Sequence, residues 1–371
     1  MTRWREDRTC DDWGSFCYIQ DVKSGVFWST AYQPTRREPL CYEAIFSEGR
    51  VEFRRRDGVD GGEIETYTEI VVSPEDDIEL RRVRLTNHTP YPREVEITSY
   101  AEVVISPSAA DAQHPAFAKL FVQTEILPDQ HAILCMRRPR SPEEATPWML
   151  HLMAVHGADA DAVSWETDRA AFIGRTRSAA APLALDVPGP LGGHAGPVLD
   201  PIVAIRQRIV LAPEQTVTVD IVTGMADSRA AAVALVGKHR DRHLADRVFD
   251  LAWTHSQVEL LQLNAVEADA QLYARLAGPV LYADGALRAD PALLLRNRRG
   301  QSGLWGYAIS GDLPIVLLQI GDAASIKLVR QLVQAHAYWR LKGLAVDLVI
   351  WNEDHAGYRQ RLQDEIVGLV A

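Results

Sequence analysis

The chain is 371 residues long, with 47% apolar and 24% charged residues, a balance that excludes disordered and fibrous classes. A folded protein of this size buries roughly 75% of the surface its unfolded chain exposes, so at least two structural layers or domains are expected. Against 50 acidic residues stand 39 basic ones, and the resulting charge of -11 repels phosphate backbones and anionic lipids, which excludes general nucleic-acid binding.

The opening stretch, Met1 to Asp7, carries no apolar signal-peptide core. From Phe16 to Thr223 apolar residues recur mostly at period two between turn formers, which is the pattern of strands. Ile64–Val72 is predicted as a strand, Ser73 to Asp77 as a turn, and Ile78 as the start of the next strand, where Val83 and Leu85 alternate with Arg82, Arg84 and Thr86. After the break at Asn87-His88-Thr89-Pro90, Val95, Ile97, Ser99, Ala101 and Val103 form one inward face, with Glu94, Glu96 and Glu102 expected to face water. Further strands are predicted at Ile133–Met136, Trp148–Val155, Ile202–Leu211 and Val217–Thr223, and together they make a large sandwich. The Ala-, Gly- and Pro-rich stretch from Ala179 to Asp200 is expected to be a long surface loop.

The pattern changes at Gly224. Asp227 or Ser228 caps a predicted helix from Ala230 to Lys238, and Asp241 opens a period of 3.6 through Leu244, Val248, Leu251 and Ala252. The spacing continues through Val258, Leu260, Leu261 and Leu263, giving two or three helices that leave the sandwich and end at Gly278-Pro279. Arg296 to Asp312 is a loop, Pro314 suits a helix start, Ala323–Leu341 is strongly amphipathic, and Leu344–Trp351 is a short buried strand. Tyr358 to Ala371 again has helical spacing, at Leu362, Ile366, Leu369 and Val370, and stops without a polar cap. Trp4 to Asp7 likewise precede Trp13 and Phe16 with no element to cover them, so an excerpt from a longer polypeptide is expected. The longest apolar window, Leu313 to Ile320, is far short of the roughly 20 residues a membrane span needs.

Cys10, Cys17, Cys41 and Cys135 are too sparse for a disulfide scaffold and lack zinc-like spacing, so they are expected to be reduced, small apolar residues. The run Arg296-Asn297-Arg298-Arg299-Gly300-Gln301-Ser302-Gly303-Leu304-Trp305-Gly306-Tyr307 sets cationic forks, glycines and two aromatic rings in one loop. Guanidinium groups bind phosphate bidentately, and glycines let backbone amides approach it, so the segment suits an anionic or sugar ligand, or else forms a solvated basic turn beside a core Trp. Asp312, in Ser310-Gly311-Asp312-Leu313-Pro314, is placed either to cap the following helix or to accept hydrogen bonds from sugar hydroxyls. Arg54-Arg55-Arg56 and Arg137-Arg138-Arg140 read as solvent-facing charge runs, Glu43 and Glu69 as solvated, and His255, Asn264 and His336 as structural. The sequence contains no nucleophilic triad, Walker loop, dinucleotide fingerprint or metal cluster.

Four runs carry a resemblance: Tyr18-Ile19-Gln20-Asp21, Phe27-Trp28-Ser29-Thr30-Ala31-Tyr32-Gln33-Pro34, Ile309-Ser310-Gly311-Asp312-Leu313-Pro314 and Lys342-Gly343-Leu344-Ala345-Val346-Asp347-Leu348. In order and nearly along the whole chain they resemble the inverting glycoside phosphorylases related to cellobiose phosphorylase, and most closely the C-terminal phosphorylase-like region of cyclic β-1,2-glucan synthases. The resemblance implies a multidomain β + α fold. A galactose-mutarotase-like β-supersandwich would occupy 1–224, linker helices 225–284, and the first part of an incomplete (α/α)6 barrel 285–371.

By the same resemblance Arg298 binds phosphate, and Asp312 and Ser310 lie in the segment contacting the cleaved sugar, with Trp305 and Tyr307 lining the pocket. The phosphorylases carry a further Arg and Asp just before this segment, whereas Gly303 to Ser310 offers no arginine. Their general acid belongs to a run resembling Asp-Trp-Asn-Asp-Gly, which does not occur here; Trp351-Asn352-Glu353-Asp354 is only a superficial echo. The acid is therefore expected beyond Ala371, and the chain alone is expected to be inactive. Inorganic phosphate is the implied co-substrate, with no cofactor and no metal. The implied partners are a β-glucan oligosaccharide, the rest of a parent polypeptide in the inner membrane, whose cytoplasmic side this soluble part would face, and a second copy of the chain. Two alternatives stay open: a non-catalytic carbohydrate-binding or scaffold module, and an inverting hydrolase.

Overall fold

A computed structural model describes residues 1–3, 9, 12–59, 61–139, 141, 143–158, 163–187, 189–282, 284–354 and 360–370. Trp4 to Asp7, Cys10, Arg140, Tyr358 and Ala371 lie outside the described residues. The chain divides into two units, Met1–His255 and Ser256–Ala371.

The first unit opens with strands β1 (Ser15–Asp21), β2 (Phe27–Ser29), β3 (Cys41–Ser47), β4 (Arg50–Val59), β5 (Gly62–Val72), β6 (Ile78–Asn87) and β7 (Arg93–Glu102). Helices α1 (Ser108–Gln113) and α2 (Pro115–Lys119) precede β8 (Val122–Leu127), β9 (Ala132–Arg137), β10 (Trp148–His156) and β11 (Ser164–Asp168). Short helices α3 (Arg169–Ile173) and α4 (Leu183–Asp186) lead to β12 (Pro201–Leu211), β13 (Thr216–Ala226) and helix α5 (Arg229–His239). Helix α6 (Arg242–Gln262) contains the boundary between the units.

These strands form two antiparallel sheets, a five-stranded one ordered β11-β12-β7-β1-β2 and an eight-stranded one ordered β3-β4-β5-β6-β13-β10-β9-β8. Alternate residues of each sheet meet in one core: Ile19, Trp28, Val95, Ile97, Ala101, Val203 and Ile205 from the first, Val83, Leu85, Val217, Val219, Ile133 and Met153 from the second. Period-two apolar patterning thus becomes a sandwich, because each strand offers one face to a common interior.

The outer faces are not left to water. Behind the eight-stranded sheet, Leu80, Leu134, Leu150, Leu152 and Val222 pack on Ala232 and Val236 of α5 and on Ala245, Val248 and Ala252 of α6. These two helices therefore lie on the sheet where the sequence pattern had them leaving the sandwich. Ser228 caps α5 by accepting the Ala231 amide at 3.2 Å, and the Asp241 carboxylate accepts the His243 amide at 2.8 Å at the start of α6. Behind the five-stranded sheet, Tyr18, Tyr100, Ile202 and Ala204 pack on Phe172, Ile173, Ala179 and Leu185. The Ala179 to Asp200 stretch is thus not simply a surface loop, since its first part covers this face.

That cover overturns the expectation for β7. Glu96 is 5% exposed, held by Arg208 at 2.6 Å, with Arg206 also near, and Glu102 is half-buried against Arg3 and Arg169. Glu69 is buried rather than solvated, between Arg50 at 3.0 Å and Arg84 at 2.7 Å. The Arg54-Arg55-Arg56 run also divides by face. Arg54 and Arg56 are exposed, but Arg55 points inward, bonds both Asp57 oxygens and donates to the Ala31 and Arg37 carbonyls.

Gly224 does not end the strand pattern, because β13 continues to Ala226. Its role is close approach: a Cβ there would meet Ile78 Cγ2 at 2.5 Å and the Asp77 carbonyl at 2.6 Å. Gly224→Ala is expected to cost about 1–3 kcal/mol by forcing β6 away. Gly237→Ala, in α5 with nothing near its Cβ, should instead add about 0.5–1 kcal/mol. Urea unfolding of the two variants checks the opposite signs.

The second unit carries α7 (Glu267–Leu281), α8 (Pro291–Arg296), β14 (Ile315–Ile320), α9 (Ile326–Leu341), β15 (Asp347–Asn352) and α10 (Arg361–Val370). Helix α7 runs through Gly278-Pro279 to Leu281, and beyond the proline the Tyr282 amide still donates to the Gly278 carbonyl at 3.0 Å. One core holds Leu260, Tyr273, Ala335, Tyr338 and Trp339, with the Trp339 indole donating to the Tyr273 carbonyl at 2.8 Å. Another joins Ile320, Val329, Leu362 and Ile366.

No helix starts at Pro314. Ile315–Ile320 is a strand, paired parallel with β15 in the register Ile315↔Asp347 to Ile320↔Asn352. A short apolar run has no period that separates strand from helix, and here the pairing with Asp347–Asn352 decides it. Asp312 accordingly caps no helix.

Candidate functional site

The candidate site is the loop between α8 and β14. Asp290 caps α8 by accepting the Ala292 amide at 2.7 Å, and the chain then leaves through Asn297, whose side chain accepts the Arg299 amide at 3.0 Å. Two short turns follow, at Gln301–Gly303 and Trp305–Tyr307, before Ala308 and Gly311 adopt left-handed backbone with φ of 58° and 76°. Gly311 is required twice over, since a Cβ would also meet Gln301 Cγ at 2.9 Å.

The loop closes on itself through a residue to which the sequence reading gave no role. The Gln301 amide donates to the Ser310 carbonyl at 2.9 Å and to Asp312 Oδ1 at 2.8 Å. Trp305 Nε1 reaches the same carbonyl at 3.3 Å, and the Asp312 amide donates to Ser310 Oγ at 3.2 Å. Three of the expected residues, Trp305, Ser310 and Asp312, are therefore brought together. Arg298 and Tyr307 take no part in this knot, and both are exposed. Gln301 could have been suspected only as a long amide nine residues before a carbonyl that needed a donor.

Trp305 is 64% and Tyr307 70% exposed, so neither is a core residue. Arg296, Arg298 and Arg299 are exposed as well, and among the described residues no carboxylate forms an ion pair with them. The loop thus carries uncompensated guanidinium groups, two open rings and a carboxylate fixed by Gln301. It offers donors to an anion, and ring faces and an acceptor to a hydroxylated ring.

The remaining candidates have structural places. His336 Nε2 sits 3.0 Å from the Val346 carbonyl, and Asn264 takes φ of 49° just after α6. Glu353 is held by Gln319 at 2.6 Å, and Asn352 by Gln363 at 3.1 Å. Arg137 pairs with Glu144, and both Arg137 and Arg138 lie over the Phe121 ring. Among the described residues no group of three His, Cys, Asp or Glu stands close enough to hold a metal ion. No helix of the described residues is long and apolar enough to cross a membrane.

The first unit is thus a two-sheet sandwich of five and eight strands backed by helices on both outer faces. The chain belongs to the glycosyl hydrolase 94 family, whose supersandwich domain matches residues 1–242. It is similar to the cyclic beta-(1,2)-glucan synthase NdvB of Rhizobium meliloti (strain 1021), 33% identical over 363 residues, 98% of this chain and 13% of that one. It is also similar to the solabiose phosphorylase of Paenibacillus borealis, at 25% over 60% of this chain and 27% of the relative. The N,N'-diacetylchitobiose phosphorylase of Vibrio furnissii is 24% identical over 67% of this chain and 30% of its own length. The chain thus spans less than a third of each of these relatives. The resemblance drawn from the four sequence runs is borne out.

Proposed function

We propose that this chain is the front of a glycoside-phosphorylase-like region acting on β-1,2-glucan in cyclic glucan synthesis. The observation that carries this reading is the 33% identity to a cyclic glucan synthase along 98% of the chain, through both units. The similarity to two phosphorylases supports the reaction class.

Inverting phosphorolysis needs one carboxylic acid to protonate the leaving oxygen while phosphate attacks the opposite face of the sugar. In this reading inorganic phosphate is the co-substrate, with no cofactor. Arg298 binds it, with Arg296 and Arg299 adding to the positive field, while Trp305, Tyr307, Ser310 and Asp312 face the sugar. The general acid comes from residues outside this sequence, as do the remaining helices of an (α/α)6 barrel, so the chain alone is inactive. Its partners are a β-glucan oligosaccharide, the rest of an inner-membrane parent polypeptide whose cytoplasmic side it faces, and a second copy of itself.

The test uses the complete polypeptide. Arg298→Ala should lower phosphate-dependent turnover of linear β-1,2-glucan by about 10²-fold, the scale of one lost charge-stabilising donor, with glucose 1-phosphate as the measured product. Turnover indifferent both to phosphate and to the substitution would mean hydrolysis. Glucan binding without turnover would mean a binding module.

A further inference from the structure

The eight-stranded sheet of the first unit ends on β3, and among the described residues no element pairs with its far side. A strand with one neighbour turns the amides and carbonyls of alternate residues outward, where they template pairing with another strand. Folded proteins commonly blunt such an edge with Lys, Pro, a bulge or a very short strand. β3 has none of these: Cys41-Tyr42-Glu43-Ala44-Ile45-Phe46-Ser47 runs in unbroken register with β4, from Cys41↔Arg56 to Ser47↔Arg50. Five of its seven residues are exposed.

The strand also carries an open apolar stripe. Tyr42, Ala44 and Phe46 share one face, and Phe46 is 69% exposed. Across β4, Ala44 faces Phe53 and Phe46 faces Val51, while the Tyr42 and Phe53 rings stack with centroids 6.3 Å apart. The one charge of the strand, Glu43, has Arg54 3.8 Å away. The edge therefore suits another strand rather than a charged ligand.

The sequence of β3 is its own complement. Cross-strand neighbours share a face, so in a two-fold antiparallel pair the axis passes where one residue meets its own copy. Centring on Ala44 uses the whole strand: Tyr42 meets Phe46 on either side of the axis, Glu43 meets Ile45, and Cys41 meets Ser47. Centring on Glu43 would set two like charges directly opposite, which is destabilising. The Ala44 register also carries the exposed Glu38, three residues before the strand, toward the end where the exposed Arg50 follows the strand of the other copy. We infer that β3 pairs with β3 of a second copy of this chain, antiparallel about Ala44, joining two eight-stranded sheets into one. The inference gives the second copy of the proposed function its contact surface and rests on that part of the reading alone.

The test uses the full 371-residue chain. Sedimentation velocity over a concentration series should show a species of twice the chain mass, and Phe46→Lys, which puts a charge on the exposed edge, should weaken that association at least tenfold. With Cys10 and Cys41 replaced by Ser, Ala44→Cys should give a disulfide-linked dimer on mild oxidation, because its two copies face each other across the axis. Ser47→Cys should not, since its copies lie about 20 Å apart along the paired strands, beyond the roughly 7 Å between Cα atoms that a disulfide spans. A wild type that is monomeric at every concentration overturns the pairing, even if a variant does not fold. So does a dimer indifferent to Phe46→Lys, or cross-linking that is equal at the two positions. A dimer without the Ala44 cross-link discards this edge and keeps the second copy as a partner. The Arg298 test stands in every case, because it reads phosphate-dependent turnover and not mass.

Discussion

Replacing Arg82 with Met will destabilise the first unit by about 3–5 kcal/mol, the usual cost of stranding one partner of a buried ion pair. Arg82 on β6 faces Asp220 on β13 in register, and both its Nε and Nη2 donate to the carboxylate, at 2.7 and 2.9 Å. The Asp220 side chain is fully buried and that of Arg82 is 6% exposed. Burial alone would raise the Asp220 pKa, yet the hydrogen bonds from Arg82, with His156 Nε2 3.5 Å away, hold it below its ordinary value. The same guanidinium also pairs with Asp246 and lies over the Phe249 ring, 4.9 Å from its centroid, so it fastens α6 to the sheet. With Met in its place, Asp220 must stay charged in an apolar setting or take up a proton. Adding Asp220→Leu to Arg82→Met should recover most of the loss, because the stranded charge is then gone. Urea unfolding of the single and double variants measures both steps; a double variant as unstable as the single would show that packing, not charge, dominates.

Acid will weaken the same unit through His151. This side chain is 2% exposed at the centre of β10, with Ser99 Oγ 2.8 Å from Nε2 and Thr223 Oγ1 2.8 Å from Nδ1. Burial, reinforced by the charge of Arg81, pushes its pKa from 6.5 to about 3. The unfolded chain therefore takes up a proton near pH 6.5, which the folded chain refuses until about pH 3. Between those values the unfolded state binds more protons, so stability falls as pH falls, by about 1.4 kcal/mol per pH unit. Above pH 6.5 this contribution is constant. At pH 5 the expected loss from this residue alone is about 2 kcal/mol. Carboxylates titrate in part of the same range, so the readout is the difference in pH dependence between the wild type and His151→Gln. Equal slopes from pH 7 to pH 5 would exclude His151 as a source of acid lability.

Much of the first unit was legible because a strand in a two-sheet core exposes its period directly. β5, β6, β10, β12 and β13 fall within a few residues of the expected spans, and the Ser228 cap stands where a serine before an alanine-rich run implied it. The second unit was harder. Leu313 to Ile320 is too short for period to choose between helix and strand, and the deciding partner, Asp347–Asn352, lies a whole helix away in sequence. Within the candidate site, Arg298, Trp305, Tyr307 and Asp312 were singled out by residue type. That Gln301 would tie Ser310 to Asp312, leaving Arg298 and Tyr307 in the open, did not follow from residue type.

The amino-acid order by itself determined most strands of the first unit, the Ser228 cap, the acidic balance and, through four short runs, the family, since all of these rest on neighbours close along the chain or on identity at fixed positions. The tertiary structure alone decided which second faces are dry. Glu69 and Glu96 look like solvent residues in any local window, and they are buried with countercharge from Arg50 and Arg84 on the strands beside β5 and from Arg206 and Arg208 on β12; Arg55 has its countercharge nearby in Asp57, but the Ala31 and Arg37 carbonyls that cap its guanidinium come from a separate segment. Side-chain alternation says which residues share a face; only the packing of remote elements says what that face meets.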